Sequence, residues 1–225
     1  PNTSFHHGYI EDLKALGIAD ASVDVVISNC VLNLSADKRA AFAEIFRVLK
    51  EGGELYFSDV FADRRIPDEV AADPVLYGEC LGGAFYEEDF RRMLRDVGCL
   101  DYRTVSSCPI EVDDPELADK LGNIRFTSKT IRAFKLEAIE DRCEDYGQVA
   151  YYQGGIPEQP HAFVLDDHHR FERGRPMLVC GNSAAMVEET RFGRYFEVVG
   201  DRSVHYGLFD CDPAEAEASD GGGCC

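Results

Sequence analysis

Apolar and polar residues alternate in two distinct rhythms along this chain. The run Val23-Asp24-Val25-Val26-Ile27-Ser28 is short, β-branched and closed by polar residues, which predicts a strand buried on both faces of a parallel sheet. Between residues 37 and 50, Ala41, Phe42, Ile45, Val48 and Leu49 recur at helical spacing and Gly52-Gly53 supplies a stop, so an amphipathic helix is expected. Glu54-Leu55-Tyr56-Phe57-Ser58-Asp59 reads as the next strand, giving a βαβ unit with a right-handed crossover. A second helix over residues 87–97 carries acids in its first turn and Gly98 at its end, and a strand over 100–106 follows it. The fold class is α/β, with an incomplete doubly wound, Rossmann-like sheet.

Beyond Cys108 the rhythm changes. Asp113-Asp114-Pro115 caps a short helix, and strand-like stretches follow at residues 125–136, 148–152 and 161–165. The chain is therefore expected to divide into an α/β part over 1–110, a mixed α+β region over 111–210, and a tail over 211–225. That tail is acidic and Gly-rich with little to bury, which predicts disorder. A cofactor-binding α/β domain opens with a strand, a Gly-rich turn and a helix, and no such opening is present. The sequence also begins without Met, so residue 1 is expected to lie inside a longer protein with the first part of the sheet upstream.

Composition narrows the partners. With 225 residues, 45% of them apolar, the chain can build a real core. Its 42 acidic against 23 basic residues give a formal charge of -19, a field that repels phosphate backbones and anionic lipid surfaces. No nucleic acid and no membrane partner is expected, since no apolar run approaches the roughly 20 residues that span a bilayer. The first residues lack the charged and apolar regions of a signal peptide, and the reading is cytoplasmic. The nine cysteines are odd in number and contain no Cys-x-x-Cys pair, so free thiols fit better than a disulfide scaffold or structural zinc.

Among those thiols two stand out. Cys80 sits in Gly78-Glu79-Cys80-Leu81-Gly82-Gly83, a backbone free to bend close to a ligand, although a cysteine taken alone reads as a small buried hydrophobe. Cys143 stands in Glu140-Asp141-Arg142-Cys143-Glu144-Asp145, where a core cysteine is out of place. Cys99, Cys108 and Cys211 carry no pattern, and Cys180 follows the apolar run Met177-Leu178-Val179 before a helix cap at Asn182 or Ser183, which suits packing. His6-His7 and His168-His169 read as surface or packing histidines, because neighbours on a strand point to opposite faces.

Several segments resemble one family. Gly8-Tyr9-Ile10-Glu11-Asp12-Leu13, Ser28-Asn29-Cys30-Val31-Leu32-Asn33-Leu34, Arg47 to Val60, Gly78-Glu79-Cys80-Leu81-Gly82-Gly83-Ala84, Cys143 to Ala150 and Cys180-Gly181-Asn182-Ser183-Ala184 are similar to arsenite methyltransferases. Leu-Lys followed by Gly-Gly is common to class I methyltransferases, whereas the Ser-Asn-Cys-Val and Gly-Glu-Cys-Leu-Gly-Gly segments are far more specific.

The resemblance implies a class I methyltransferase fold, S-adenosylmethionine as methyl donor, and methyl transfer to trivalent arsenic held by three thiolates. It makes Cys80 and Cys143 two of those ligands, with the third upstream, and it puts Ile10, Glu11, Asn29 and Val31 around the cofactor. Arsenite or its thiol adducts would be the substrate, glutathione or thioredoxin the thiol reductant, and thioredoxin a candidate partner. Cys30 is left between a wall of the cofactor pocket and a structural role. For Cys143, with acids on either side, Arg142 or bound arsenic is expected to help remove the thiol proton. The terminal Cys224-Cys225 pair is a candidate arsenic trap. Two alternatives stay open: a methyltransferase of an organic small molecule, and a thiol-based metalloid-binding module without catalysis.

Overall fold

A computed structural model describes residues 2–211. The Cys224-Cys225 pair and nearly all of the tail expected to be disordered lie outside the described residues.

In chain order the first elements are a 3-10 turn at Ile10–Asp12, β1 (Val23–Asn29), α1 (Lys38–Val48), β2 (Leu49–Ala62), α2 (Asp68–Ala71), α3 (Pro74–Gly78), β3 (Phe85–Tyr86), α4 (Glu87–Asp96), β4 (Tyr102–Ile110), α5 (Pro115–Leu121) and β5 (Phe126–Phe134). There follow β6 (Glu144–Asp145), β7 (Gln148–Tyr152), β8 (Ala162–Val164), β9 (Arg170–Glu172), β10 (Pro176–Val179), α6 (Gly181–Glu188), β11 (Phe196–Val199) and β12 (Gly207–Leu208). The main sheet has the order β1-β2-β5-β4, with β3 parallel to β2. Hydrogen bonds from Asp63 to Arg125 and from Lys135 to Gly53 run in opposite senses along the two strands, so β2 and β5 are antiparallel. The α/β class is as expected, but the sheet is mixed rather than purely parallel.

The described chain forms two compact units. The first holds the chain through Lys50, Leu55–Val97 and Ser107–Thr130; the second holds Glu51–Glu54, Gly98–Ser106 and the chain from Ile131 onward. In the first unit Phe42 of α1, Phe57 and Phe61 of β2, Phe85 of β3 and Phe90 of α4 cluster, edge to face for Phe42 and Phe57 with ring centroids 5.9 Å apart and for Phe61 and Phe90 with centroids 5.2 Å apart. Such aromatic packing fixes α1 and α4 against the strands. In the second unit, β7 pairs antiparallel with both β10 and β11, and Tyr152, Phe163, Phe171 and Val179 are buried there with Ala184, Ala185, Met186 and Val187 of α6.

Two expectations are corrected. Helix α1 ends at Val48, and Leu49 is already extended, so β2 starts without a Gly-Gly turn. Gly52 instead lies inside β2 with φ +75°, at a place where a Cβ would come within 2.6 Å of the Glu189 carbonyl oxygen. Strand β1 is not buried on both faces: Ile27 is 76% exposed.

Candidate functional site

The first candidate constellation surrounds the carboxyl end of β1 in the first unit. The Glu11 carboxylate accepts from the Ser35 hydroxyl at 2.5 Å, which fastens the Ile10–Asp12 turn to the loop after β1. That bond and backbone amides hold the Glu11 carboxyl below its usual range. In the loop, Asn29 and Val31 are exposed, and Cys30 takes φ 51° while its amide donates to Ser58 at 2.9 Å.

Asn33 is fully buried and organises what lies beneath. Its backbone amide donates to Asp59 at 3.1 Å, and its side-chain amide donates to the Cys80 carbonyl at 3.1 Å. Burial pushes the Asp59 carboxyl up to about 6, against the opposing effect of the Val60 and Asn33 amides and of Lys38.

Cys80 follows α3, a helix that starts because Asp73 caps Val75 and Leu76 and Pro74 occupies the first position. The thiol-bearing residue takes φ 63°, in the left-handed region. The glycines after it serve close backbone approach: a Cβ on Gly83 would lie 2.2 Å from the Asn33 carbonyl oxygen. Burial, and then the charges of Cys30, Asp59 and Glu79, push the Cys80 thiol up, so it is held protonated at neutral pH.

A second constellation lies in the other unit, where the Sγ atoms of Cys143, Cys180 and Cys211 lie within 4.8 Å of one another. Three local features build it. Cys180 is the N-cap of α6 and its Sγ accepts from the Ser183 amide at 3.4 Å. Asn182 exchanges two hydrogen bonds with the Glu140 backbone, at 2.9 and 2.8 Å, which pins the loop that carries Cys143. Strands β6 and β12 pair antiparallel, and the Phe209 amide donates to the Cys143 carbonyl at 2.7 Å, which returns Cys211 to that loop.

Whereas the sequence expectation for Cys143 names Arg142 or bound arsenic, the cation beside the Cys180 sulfur is Arg103. Its Nη2 stands 3.7 Å from the Cys180 Sγ, while the guanidinium also pairs with Asp101 at 2.7 Å and Asp166 at 3.3 Å. Of the coupled Cys143 and Cys180 thiols, Cys180 is held well below the usual range by a hydrogen bond from Cys143, by Arg103 and by Ser183, whereas Cys143 is pushed up. The thiolate therefore resides on Cys180, at a helix N-terminus beside a guanidinium.

Behind Cys180 stands a buried polar chain. The Ser183 hydroxyl lies 3.3 Å from the Cys180 Sγ and 3.2 Å from His169 Nε2, and His169 Nδ1 lies 2.8 Å from Asp166. Burial pushes Asp166 up, but the hydrogen bond from His169 and the field of Arg103 prevail and hold it at about 2.

The structure thus joins Ile10, Glu11, Asn29 and Val31 along one loop system and ties Cys80 to it through Asn33. It groups Cys143 with Cys180 and Cys211, two thiols to which sequence reasoning assigned no chemistry. No spacing rule links them, since β12 and α6 bring them together only in the folded unit. One signal was present: a cysteine directly before Gly181-Asn182-Ser183 stands at a helix start, where thiolates are favoured.

The α/β sheet and the loop at the end of β1 belong to the class I methyltransferase fold, and a methyltransferase-domain family model matches residues 1–98. The chain is 56% identical to the arsenite methyltransferase of Aquipseudomonas alcaligenes over 93% of its own length and 60% of that protein. It is 41% identical to the arsenite methyltransferase of Mus musculus over 87% of its length and 51% of that protein. Among solved structures it superposes with a TM-score of 0.86 on CrArsM, an arsenic (III) S-adenosylmethionine methyltransferase from Chlamydomonas reinhardtii, at 53% identity over 90% of this chain and 68% of that one. The chain belongs to the arsenite methyltransferase family. It spans between half and two thirds of the length of these curated relatives.

Proposed function

We propose that this protein transfers the methyl group of S-adenosylmethionine to trivalent arsenic held on cysteine thiols, with Cys80 and Cys143 as ligands. The observation that carries this reading is the placement of Cys80, half-buried, left-handed and tied by Asn33 to the loop after β1, which is where ligands bind in open α/β sheets.

The residues present fit the adenine side of the methyl donor. Glu11 is held charged by Ser35 and by backbone amides, a carboxylate of the kind that accepts from an amino group, and the half-buried Ile10 and exposed Val31 offer apolar cover. When bound, S-adenosylmethionine supplies an electrophilic methyl group on a sulfonium.

The work of this chain is capture and orientation. Each thiol that replaces a hydroxide on arsenite forms an As–S bond and releases water, so a protonated Cys80 can react without a separate base. Sulfur is the ligand a soft centre prefers. Arsenic on three sulfurs keeps a lone pair, and aiming it at the methyl carbon is a positioning task worth about 7–11 kcal/mol at best. Methyl transfer raises the formal oxidation state of arsenic by two, so a thiol reductant such as glutathione or thioredoxin closes the cycle. Thioredoxin is accordingly a proposed partner, and arsenite or its thiol adducts the proposed substrate.

The test is arsenite-dependent formation of methylated arsenicals by the full-length protein, detected by mass. Cys80→Ser and Cys143→Ser are expected to abolish nearly all product. Retention of most product in both variants would remove Cys80 and Cys143 as ligands, and no methylated arsenical from the wild-type protein would instead favour a methyltransferase of an organic molecule.

A further inference from the structure

We infer that Cys143, Cys180 and Cys211 form a three-thiol binding site for trivalent arsenic that does not require Cys80. The inference rests on the reading that this protein handles arsenic as a thiol adduct, and it adds two ligands and a second ligand set to that reading.

Geometry carries it. The three sulfurs already lie within 4.8 Å of one another, so a single thiophilic centre can be bound with side-chain rotations and no refolding of the unit. Each sulfur is placed by a different device: the α6 N-cap for Cys180, the Asn182–Glu140 exchange for Cys143, and the β6–β12 pair for Cys211. Preorganisation of this kind reduces the ordering cost of binding. Exposure is graded from buried Cys180 through half-buried Cys143 to exposed Cys211, which gives arsenite an entry through Cys211 and a seat at Cys180.

The donor set selects the ligand. Three thiols exhaust the bonds of trivalent arsenic: three S–H groups and three As–OH groups become three As–S bonds and three waters, with no oxidation or reduction. Structural zinc takes four ligands. Among the described residues the cluster offers three sulfurs and no fourth His, Cys, Asp or Glu atom.

The Asp166–His169–Ser183 chain completes the site as its positioning apparatus. It ends on the Cys180 sulfur and, with Arg103, holds that sulfur in place. Because Cys143 belongs both to this set and to the proposed set with Cys80, the two ligand sets compete for one thiol.

The experiment uses the full-length protein in a Cys80→Ser, Cys224→Ser, Cys225→Ser background, titrated with arsenite in the absence of methyl donor. Bound arsenic is measured by elemental analysis after desalting, and masked thiols by a chromogenic thiol reagent. One arsenic per chain with three thiols masked is expected. Adding Cys211→Ser, at an exposed position that folding tolerates, is expected to weaken binding by more than about tenfold and to leave two thiols at most masked; Cys180→Ser should do the same. No arsenic bound in the background variant would overturn the inference, as would Cys211→Ser leaving affinity and thiol count unchanged. Tighter binding of zinc(II) alone than of arsenite would reject the ligand class. Since binding is read without methyl donor, intact binding with no methylated product from the wild-type protein defeats the proposed function and leaves this site standing.

Discussion

The side-chain amide of Asn33 donates to the Cys80 carbonyl at 3.1 Å, and its backbone amide donates to Asp59, also at 3.1 Å. One buried residue thereby holds the thiol loop against the end of β2. Asn33→Ala removes the first bond and leaves the second. Loss of a buried hydrogen bond of this kind costs about 1–3 kcal/mol. The expected outcome is a matching fall in urea stability together with faster alkylation of Cys80, read by peptide mass mapping.

The glycines around Cys80 are not equivalent. A Cβ on Gly83 would meet the Asn33 carbonyl oxygen at 2.2 Å, a contact that must move backbone, whereas a Cβ on Gly78 meets nothing within 4 Å. Gly83→Ala is expected to destabilise by about 3 kcal/mol or more. Gly78 is the last residue of α3, and Gly78→Ala is expected to be neutral or to stabilise by up to about 1 kcal/mol. Thermal unfolding of the two variants side by side reads the difference.

How much was legible in the sequence follows from how local each signal is. Ala41, Phe42 and Ile45 sit on one face of α1 and are all buried, because a 3.6-residue period records the face directly. The strand at β7 and the Asp114-Pro115 start of α5 are local in the same way. Helix α3 is not legible in the same way although Asp73-Pro74 is a start signal, since a single helical turn has no period to detect. The grouping of Cys143 with Cys180 and Cys211 was illegible for a different reason. It depends on pairing between β6 and β12 and on Asn182 reaching Glu140, 42 residues away, and neither leaves a spacing in the sequence. Arg142 stands next to Cys143 in sequence, yet its carbonyl accepts from Asn182, while Arg103 supplies the charge from β4.

Asp59 gives a pH dependence with a defined direction. Burial raises its folded-state pKa from 3.8 to about 6, so the protonated form favours folding. Its contribution is fully present below the unfolded value and is lost as pH rises through about 6, leaving the folded state about 2–3 kcal/mol less favoured at neutral pH than at pH 4 from this group alone. Asp59→Asn keeps an oxygen to accept from the amides and removes the titration. The wild-type minus variant difference in urea stability is therefore expected to change between about pH 4 and pH 6 and to be flat above pH 7. A difference that is flat across the whole interval would mean that Asp59 titrates alike in the folded and unfolded chain.

Glu54 supplies the last prediction. Its carboxylate is almost fully buried and is shared by two arginines, with Arg132 Nε at 2.6 Å on one oxygen and Arg191 Nη2 at 2.6 Å on the other. The arginines differ: the Arg132 side chain is 8% exposed, and Arg191 is 49% exposed and stacks over Phe192. Arg132 also donates to the Leu165 carbonyl at 2.7 Å and lies 5.7 Å from the centroid of Phe163, so it is built into the core of its unit. Removing the carboxylate leaves that guanidinium charged in a place water does not reach, and breaking a buried pair from one side costs about 3–5 kcal/mol. Arg191 can turn to solvent and recover its hydration. Glu54→Gln and Arg132→Met are therefore expected to be strongly destabilising when made singly, with Arg191→Met costing about 1 kcal/mol or less. The double variant Glu54→Leu, Arg132→Met removes both charges and is expected to recover most of the loss, since an apolar replacement of a buried pair is often neutral. Urea unfolding at low and high salt reads both points. The Glu54–Arg132 coupling should be insensitive to salt, because a buried pair is screened little; additive single losses would show that the two charges are independently solvated.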